Sequence, residues 1–258
     1  MAEKSGDGEK SAFDLMHQFD ITPLAGLENT PLAFVTNSAF FMILTVAVIA
    51  VLMVVLTLSA KVVPGRGQTI SEMIFDFGFG MVDDILGKKG RSFVTFLLSI
   101  FLFVFVANIL GMMPYSFTVF SHISLTAFMA VVIFLMVIYV GVSRHGLKWF
   151  GIFAPAGVPG WLLPLIVVIE IISFFMRPLT HSLRLFANLT AGHIVLKVIG
   201  TFAAGAGATS LLTILGGLFL TPVLFALSAL EYLVAYLQAY IFTLLAAVYL
   251  AEAIEPHH

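Results

Sequence analysis

Two stretches toward the C-terminal end, 161–200 and 209–253, are apolar for about 40 residues each and are joined at Gly205-Ala-Gly207. At roughly 1.5 Å of rise per residue each would make a helix about 60 Å long. A bilayer's hydrocarbon core is only about 30 Å thick. Each stretch must therefore fold back as a hairpin or run as one helix far from the membrane normal. No Gly or Pro turn pair interrupts the first, where Pro178 alone would kink a helix. In the second, Gly216-Gly217 and Pro222 bend the chain early and leave about 30 residues uninterrupted. Steep tilt is the expectation for both, and a helix at that angle wraps something.

Three further runs, 38–60, 92–113 and 126–142, have spanning length, since about 20 residues cross the core. Lys61 and Pro64-Gly-Arg-Gly67 stop the first run, and Gly111-Met-Met-Pro114 closes the second. Ser143-Arg-His145 and a Gly/Pro-rich loop through Pro159 follow the third. Residues 69–86 carry apolar side chains at helical spacing with Glu72, Asp76, Asp83 and Asp84 between them. That pattern predicts an amphipathic helix lying on a membrane, ended by Gly87-Lys-Lys-Gly-Arg91. The lead, 1–37, is polar apart from an amphipathic patch at 12–19, and it lacks the basic-then-apolar order of a cleaved signal peptide. The expected fold class is an all-α membrane protein with five membrane-crossing helices and one amphipathic surface helix. A polar N-terminal segment (1–37), a single transmembrane domain (38–253) and a short tail (254–258) divide it.

Only 10% of the residues are charged, against about 25% in average soluble proteins, so the chain cannot coat a water-facing surface. With no basic patch and a net charge of −2, nucleic acid is not an expected partner. The absence of cysteine excludes disulfides, thiol catalysis and cysteine-ligated metals. No His/Asp/Glu set has metal-ligand spacing, and no phosphate loop or nucleophile motif is present. No metal, no cofactor and no catalytic site in this chain are expected. Lys61, Arg66, Lys88, Lys89 and Arg91 lie in one loop region and Arg144 and Lys148 in another, whereas 114–125 and 200–208 carry no Lys or Arg. Basic loops stay inside, which puts the N-terminus outside and, after five crossings, the C-terminus inside.

Polar residues at membrane depth need a reason. Arg184 is the costliest, at roughly 2.5–3.5 kcal/mol on insertion scales and about 10–17 in simulations, and it stays charged at any cellular pH. No acid stands three or four residues from it. On a wheel of about 100° per residue, Glu170, Ser173, Arg177, Thr180, His181 and Asn188 fall within about 60° of Arg184, forming one stripe. His193 falls opposite, with Lys197 close to it. On the second long segment Glu231, Gln238 and Glu252 share a heptad spacing with Ser228 alongside, and Tyr236, Tyr240 and Thr243 take the opposite flank. Polar stripes on two long helices suggest an aqueous or proton-conducting route. Plainer roles stand beside that one. Arg177 and Glu170 snorkel or pair, Lys197 anchors, and Tyr232, Tyr236 and Tyr240 pack. A His193–Glu231 pair is a clamp between helices. The terminal His257-His258 is solvated. A secondary proton or cation transporter is the alternative class; it would usually show paired repeats or broken helices, and no repeat is visible.

Leu183-Arg-Leu-Phe-Ala-Asn188 followed by Ala191-Gly192, with Glu170 and Arg177-Pro178 upstream and Leu237-Gln-Ala-Tyr-Ile-Phe242 downstream, resembles the signature of subunit a of F-type ATP synthases. Ala107-Asn-Ile-Leu-Gly-Met-Met-Pro-Tyr115 is similar to that family's motif closing the preceding span. The resemblance runs from about residue 30 to the end. It implies a stator subunit whose two tilted helices curve against a rotating ring of c subunits, with two offset half-channels coupling proton flow to ATP synthesis. By matched position it implies that Arg184 faces the ring's carboxylates. Asn188, His193, Glu231 and Gln238 would line the outside route, and Glu170 would lie by the inside one with Ser173, Arg177 and His181 of its stripe. Many bacterial members have an acid where His193 stands and a histidine where Glu231 stands; the exchange found here, as in mitochondrial members, implies that the two side chains meet. The implied partners are the c-ring, a b-subunit stalk, the soluble ATPase sector and the lipid of a bacterial inner membrane.

Overall fold

The computed structural model describes residues 36–58, 61, 64–113, 118–153, 159, 161–205 and 211–255. The patch at 12–19, Pro114, residues 154–158, the joint after Gly205 and the His257-His258 tail lie outside the described residues. The architecture is all-α, with six helices among the described residues. They are α1 (Asn37–Thr57), α2 (Arg66–Leu86), α3 (Val94–Gly111), α4 (Ile123–His145), α5 (Leu163–Gly205) and α6 (Leu211–Ile254). Among the described residues, five helical stretches are long and apolar enough to cross a membrane: Asn37–Thr57, Lys88–Gly111, Ile123–His145, Leu163–Thr201 and Leu218–Ile254. The protein is an integral, multi-pass membrane protein.

Neither long segment forms a hairpin. Helices α5 and α6 run through Pro178 and Pro222 for 43 and 44 residues. Hydroxyls on these apolar helices turn back onto their own backbone, which removes unpaired donors from a medium without water. Thr45 Oγ1 donates to Phe41 O at 2.7 Å, Ser99 Oγ to Thr95 O at 2.7 Å, Thr180 Oγ1 to Met176 O at 2.8 Å and Thr243 Oγ1 to Ala239 O at 3.0 Å.

The chain packs as two compact units. One holds the described parts of Phe105–His122 and Phe186–Gln238 together with the start of α1. In it the Asn108 side chain donates to Ala235 O at 3.2 Å, so an amide at the end of α3 binds the backbone of α6. The other unit holds the described parts of Ala47–Val104, Ile123–Leu185 and Ala239–His258. There α2 buries Ser71, Gly78, Met81, Val82 and Leu86, one helical face. Gly78 lets Leu98 of α3 approach, since an added Cβ would stand 3.2 Å from Leu98 Cδ1. Gly87, at φ +61°, ends α2 in a conformation that favours glycine. The 3-10 turn Lys88–Phe93 follows, and Arg91 Nη2 reaches back to Asp83 Oδ2 at 2.6 Å. Gly146, at φ +60°, likewise ends α4. The next 3-10 turn then folds buried Trp149 onto Gly141, where a Cβ would overlap the indole. His145 Nε2 lies 3.1 Å from Ile254 O at the end of α6, and Lys89 pairs with Glu255.

Candidate functional site

In the first unit, α5 and α6 bring three of the expected residues, Asn188, Glu231 and Gln238, close together or into one cavity wall. Asn188 Nδ2 donates to Gln238 Oε1 at 3.4 Å. Asn188, Gly192 and Glu231 line a cavity of about 230 Å³, with Ala191, Val195, Leu196, Leu227, Leu230 and Val234 as its apolar wall. Glu231 is buried, and neither carboxylate oxygen has a hydrogen-bond partner among the described residues. Its carboxylate fills the space over Gly192, where an added Cβ would overlap Oε1. Only glycine at 192 leaves room for the acid in this position.

His193 and Glu231 do not meet as expected. His193 Nε2 lies 3.1 Å from Thr118 Oγ1 instead, and no ion pair joins the imidazole to the carboxylate. The physical reason is the turn of the helix: Gly192, one position earlier, is the residue beneath the Glu231 carboxylate, and His193 is rotated by about 100° from it. Thr118 was invisible as a site residue. It stands alone in a connecting segment, 75 positions from His193, with no periodicity to mark it.

In the second unit, Arg177 of α5 is paired rather than snorkelling. Its guanidinium bonds Glu252 of α6, lies 3.9 Å from Glu170, and stacks over the rings of Tyr249 and Phe174 at 5.1 and 5.8 Å. Tyr249 carries no charge and no marked spacing, and it escaped the sequence. Glu252 was detectable through its heptad register with Glu231 and Gln238. His181 is buried, its ring centred 3.8 Å from that of Phe242. With Arg177, Pro178, Phe174 and Tyr249 it lines a narrow cavity of about 10 Å³, near the lower limit for one water molecule. Ser173 is exposed.

Arg184, also in the second unit, differs from Arg177. It is exposed, and among the described residues it makes no hydrogen bond and no ion pair. One helix thus presents two arginines seven residues apart, one with two carboxylate neighbours and one with none. No cluster of three or more His, Asp or Glu among the described residues is arranged to hold a metal ion.

The site lies within sequence shared with known proteins. The model of the family described as ATP synthase A chain matches residues 39–251. The chain is 46% identical over 250 residues to the ATP synthase subunit a of Rhodopseudomonas palustris (strain TIE-1), covering 96% of this chain and 100% of that one. It is 45% identical over 249 residues to the ATP synthase subunit a of Bradyrhizobium diazoefficiens, covering 95% and 99%. With the Nitrobacter winogradskyi ATP synthase subunit a, identity is 43% over 248 residues, again with 95% and 99% covered. The chain belongs to the ATP synthase A chain family.

Proposed function

We propose that this proton-translocating subunit exchanges protons with carboxylic acids on a rotating ring of c subunits, Arg184 being the fixed charge those acids pass. The observation that carries the proposal is an exposed arginine on an apolar helix with no anion paired to it among the described residues. An unpaired intramembrane cation is too costly to keep unless a counter-charge is supplied, and a passing carboxylate supplies it.

A protonated ring acid can face lipid, whereas an ionised one cannot without a large penalty. Arg184 favours the ionised form of an acid facing it, so an arriving acid gives its proton to the inside route. After passing, it takes a fresh proton from the outside route and returns to lipid. Arg184 also repels a proton or hydronium ion and keeps the two routes apart. Each charge that crosses gains about 2.3 kcal/mol per 100 mV.

Asn188, His193, Glu231 and Gln238 form the outside route; the cavity that Asn188 and Glu231 both line supports that assignment. Glu170, Ser173, Arg177 and His181 belong to the inside route, Arg177 holding Glu170 and Glu252 in place. Helices α5 and α6 cross at a steep tilt, because helices of 43 and 44 residues exceed what an upright span requires. Helix α2 lies on the membrane surface. The polar lead is outside and the short tail inside, around a single transmembrane domain at 38–253. A b-subunit stalk and the soluble ATPase sector complete the assembly in a bacterial inner membrane.

The test is Arg184→Ala. Proton-driven ATP synthesis in inverted membrane vesicles should vanish while the complex still assembles, as judged by membrane-bound ATPase activity. Normal synthesis in that variant would sink the assignment.

A further inference from the structure

The hydroxyl of Thr118 touches two groups. It lies 3.3 Å from the carbonyl oxygen of Gly111 and 3.1 Å from His193 Nε2, and it has one hydrogen to give and lone pairs to accept with. Gly111 is the last residue of α3, so its carbonyl is one of the helix-end acceptors that no intrahelical N–H reaches. Gly111 is also buried, and a buried carbonyl needs a donor. Among the described residues that donor is Thr118. With its hydrogen committed to Gly111, the hydroxyl can only accept from His193. Nε2 must then carry a hydrogen, and in a neutral imidazole the lone pair is left on Nδ1.

The hydroxyl is held where it is. Thr118 is 6% exposed, and its carbonyl accepts from Ser121 N–H at 3.1 Å and from Ser121 Oγ at 2.7 Å. An added Cβ at Gly111 would press on Thr118 at 3.1–3.2 Å, so glycine permits the approach. Lys197, one turn along α5, is the charged neighbour of the imidazole.

We propose that Thr118 is a positioning residue for His193, holding the ring as the Nε2–H tautomer so that Nδ1 takes up and releases the translocated proton, given the role of His193 proposed above. The uptake step moves one proton from a hydronium ion of the outside route onto the Nδ1 lone pair, leaving a water molecule and an imidazolium still donating through Nε2 to Thr118. The release step passes that proton from Nδ1 to the lone pair of a water molecule nearer the ring carboxylate, restoring the neutral ring with no other bond changed.

Proton-driven ATP synthesis in the assembled complex tests this with His193→Ala, Thr118→Val, Thr118→Ser and the double variant Thr118→Val/His193→Ala. Thr118→Val should lower synthesis about tenfold, the worth of one hydrogen bond. Thr118→Ser should keep at least about half of it, because the hydroxyl remains. The double variant should match His193→Ala alone. If His193→Ala leaves synthesis intact, both the route and the role of Thr118 fall. If His193→Ala lowers synthesis but Thr118→Val does not, or deepens the loss in the double variant, the route stands and Thr118 does not act through His193. Nitrogen-15 NMR of the histidine-labelled complex gives an independent readout, with the His193 signals identified by their loss in His193→Ala. A neutral ring protonated at Nε2 is expected, and one protonated at Nδ1 overturns the proposal.

Discussion

At the scale of single residues, the site depends on which charges are answered inside the chain and which are not. Arg177 has Glu252 and Glu170 beside it. Arg177→Ala should therefore leave two carboxylates facing each other and lower the stability of the solubilised complex by on the order of 2 kcal/mol, the scale of one lost charged hydrogen bond, read by thermal unfolding. Arg184→Ala breaks no hydrogen bond or ion pair among the described residues, so the same melt should hardly move while synthesis stops. Gly192→Ala would push its methyl into Glu231 Oε1. That variant should reduce proton pumping several-fold in an assembled complex, a rise on the order of 1 kcal/mol in the barrier. Glu231→Asp, one methylene shorter, should recover part of the loss. Arg184, Asn188, Glu231 and Gln238 were legible because a polar side chain in an apolar helix is conspicuous and helical spacing assigns its face. Thr118 and Gly192 were not, since a lone hydroxyl and a missing side chain acquire meaning only from what approaches them.

At the scale of elements, the helices were readable to within a few residues wherever an apolar run met a charged or Gly/Pro boundary. What stayed hidden was how connectors dock. The turn after α4 folds Trp149 onto Gly141, a contact no periodicity announces. Gly141→Ala should cost about 1–3 kcal/mol through overpacking, visible as a lowered melting temperature that Trp149→Phe partly restores. The turn after α2 is tied by Arg91 to Asp83, and this hydrogen bond is the main reason the Asp83 carboxyl titrates below its usual range. A carboxyl with a depressed folded-state pKa contributes stability above the ordinary carboxylate range and loses it as pH falls through the lowered value. Amide exchange across Lys88–Phe93, corrected for the intrinsic rate, should therefore quicken on acidification. Asp83→Asn should make it fast at neutral pH and largely remove the pH response. An unchanged response in that variant would assign the effect to another group.

At the scale of the whole molecule, membrane residence follows from what α1 hides and shows. Its buried residues are Ser38 and Thr45, while Ile43, Val46, Val51, Leu52, Val54 and Val55 are exposed. That is the reverse of a water-soluble helix, and it was evident from the apolar runs alone. The five crossings proposed above would put the termini on opposite sides. Because the native chain has no cysteine, Ser5→Cys and Glu255→Cys each offer a single label site on an otherwise silent background. An impermeant thiol reagent should reach the first from outside intact cells and the second only after the membrane is inverted; labelling of both from one side would overturn the topology. The close fit of Gly192 beneath Glu231 bears on ancestry as well as on proton movement. A side chain gained at 192 meets the acid unless the Glu231 carboxylate turns away or residue 231 shortens. Across relatives a side chain at 192 should therefore accompany a shorter group at 231, while glycine at 192 leaves 231 free to carry an acid or an imidazole.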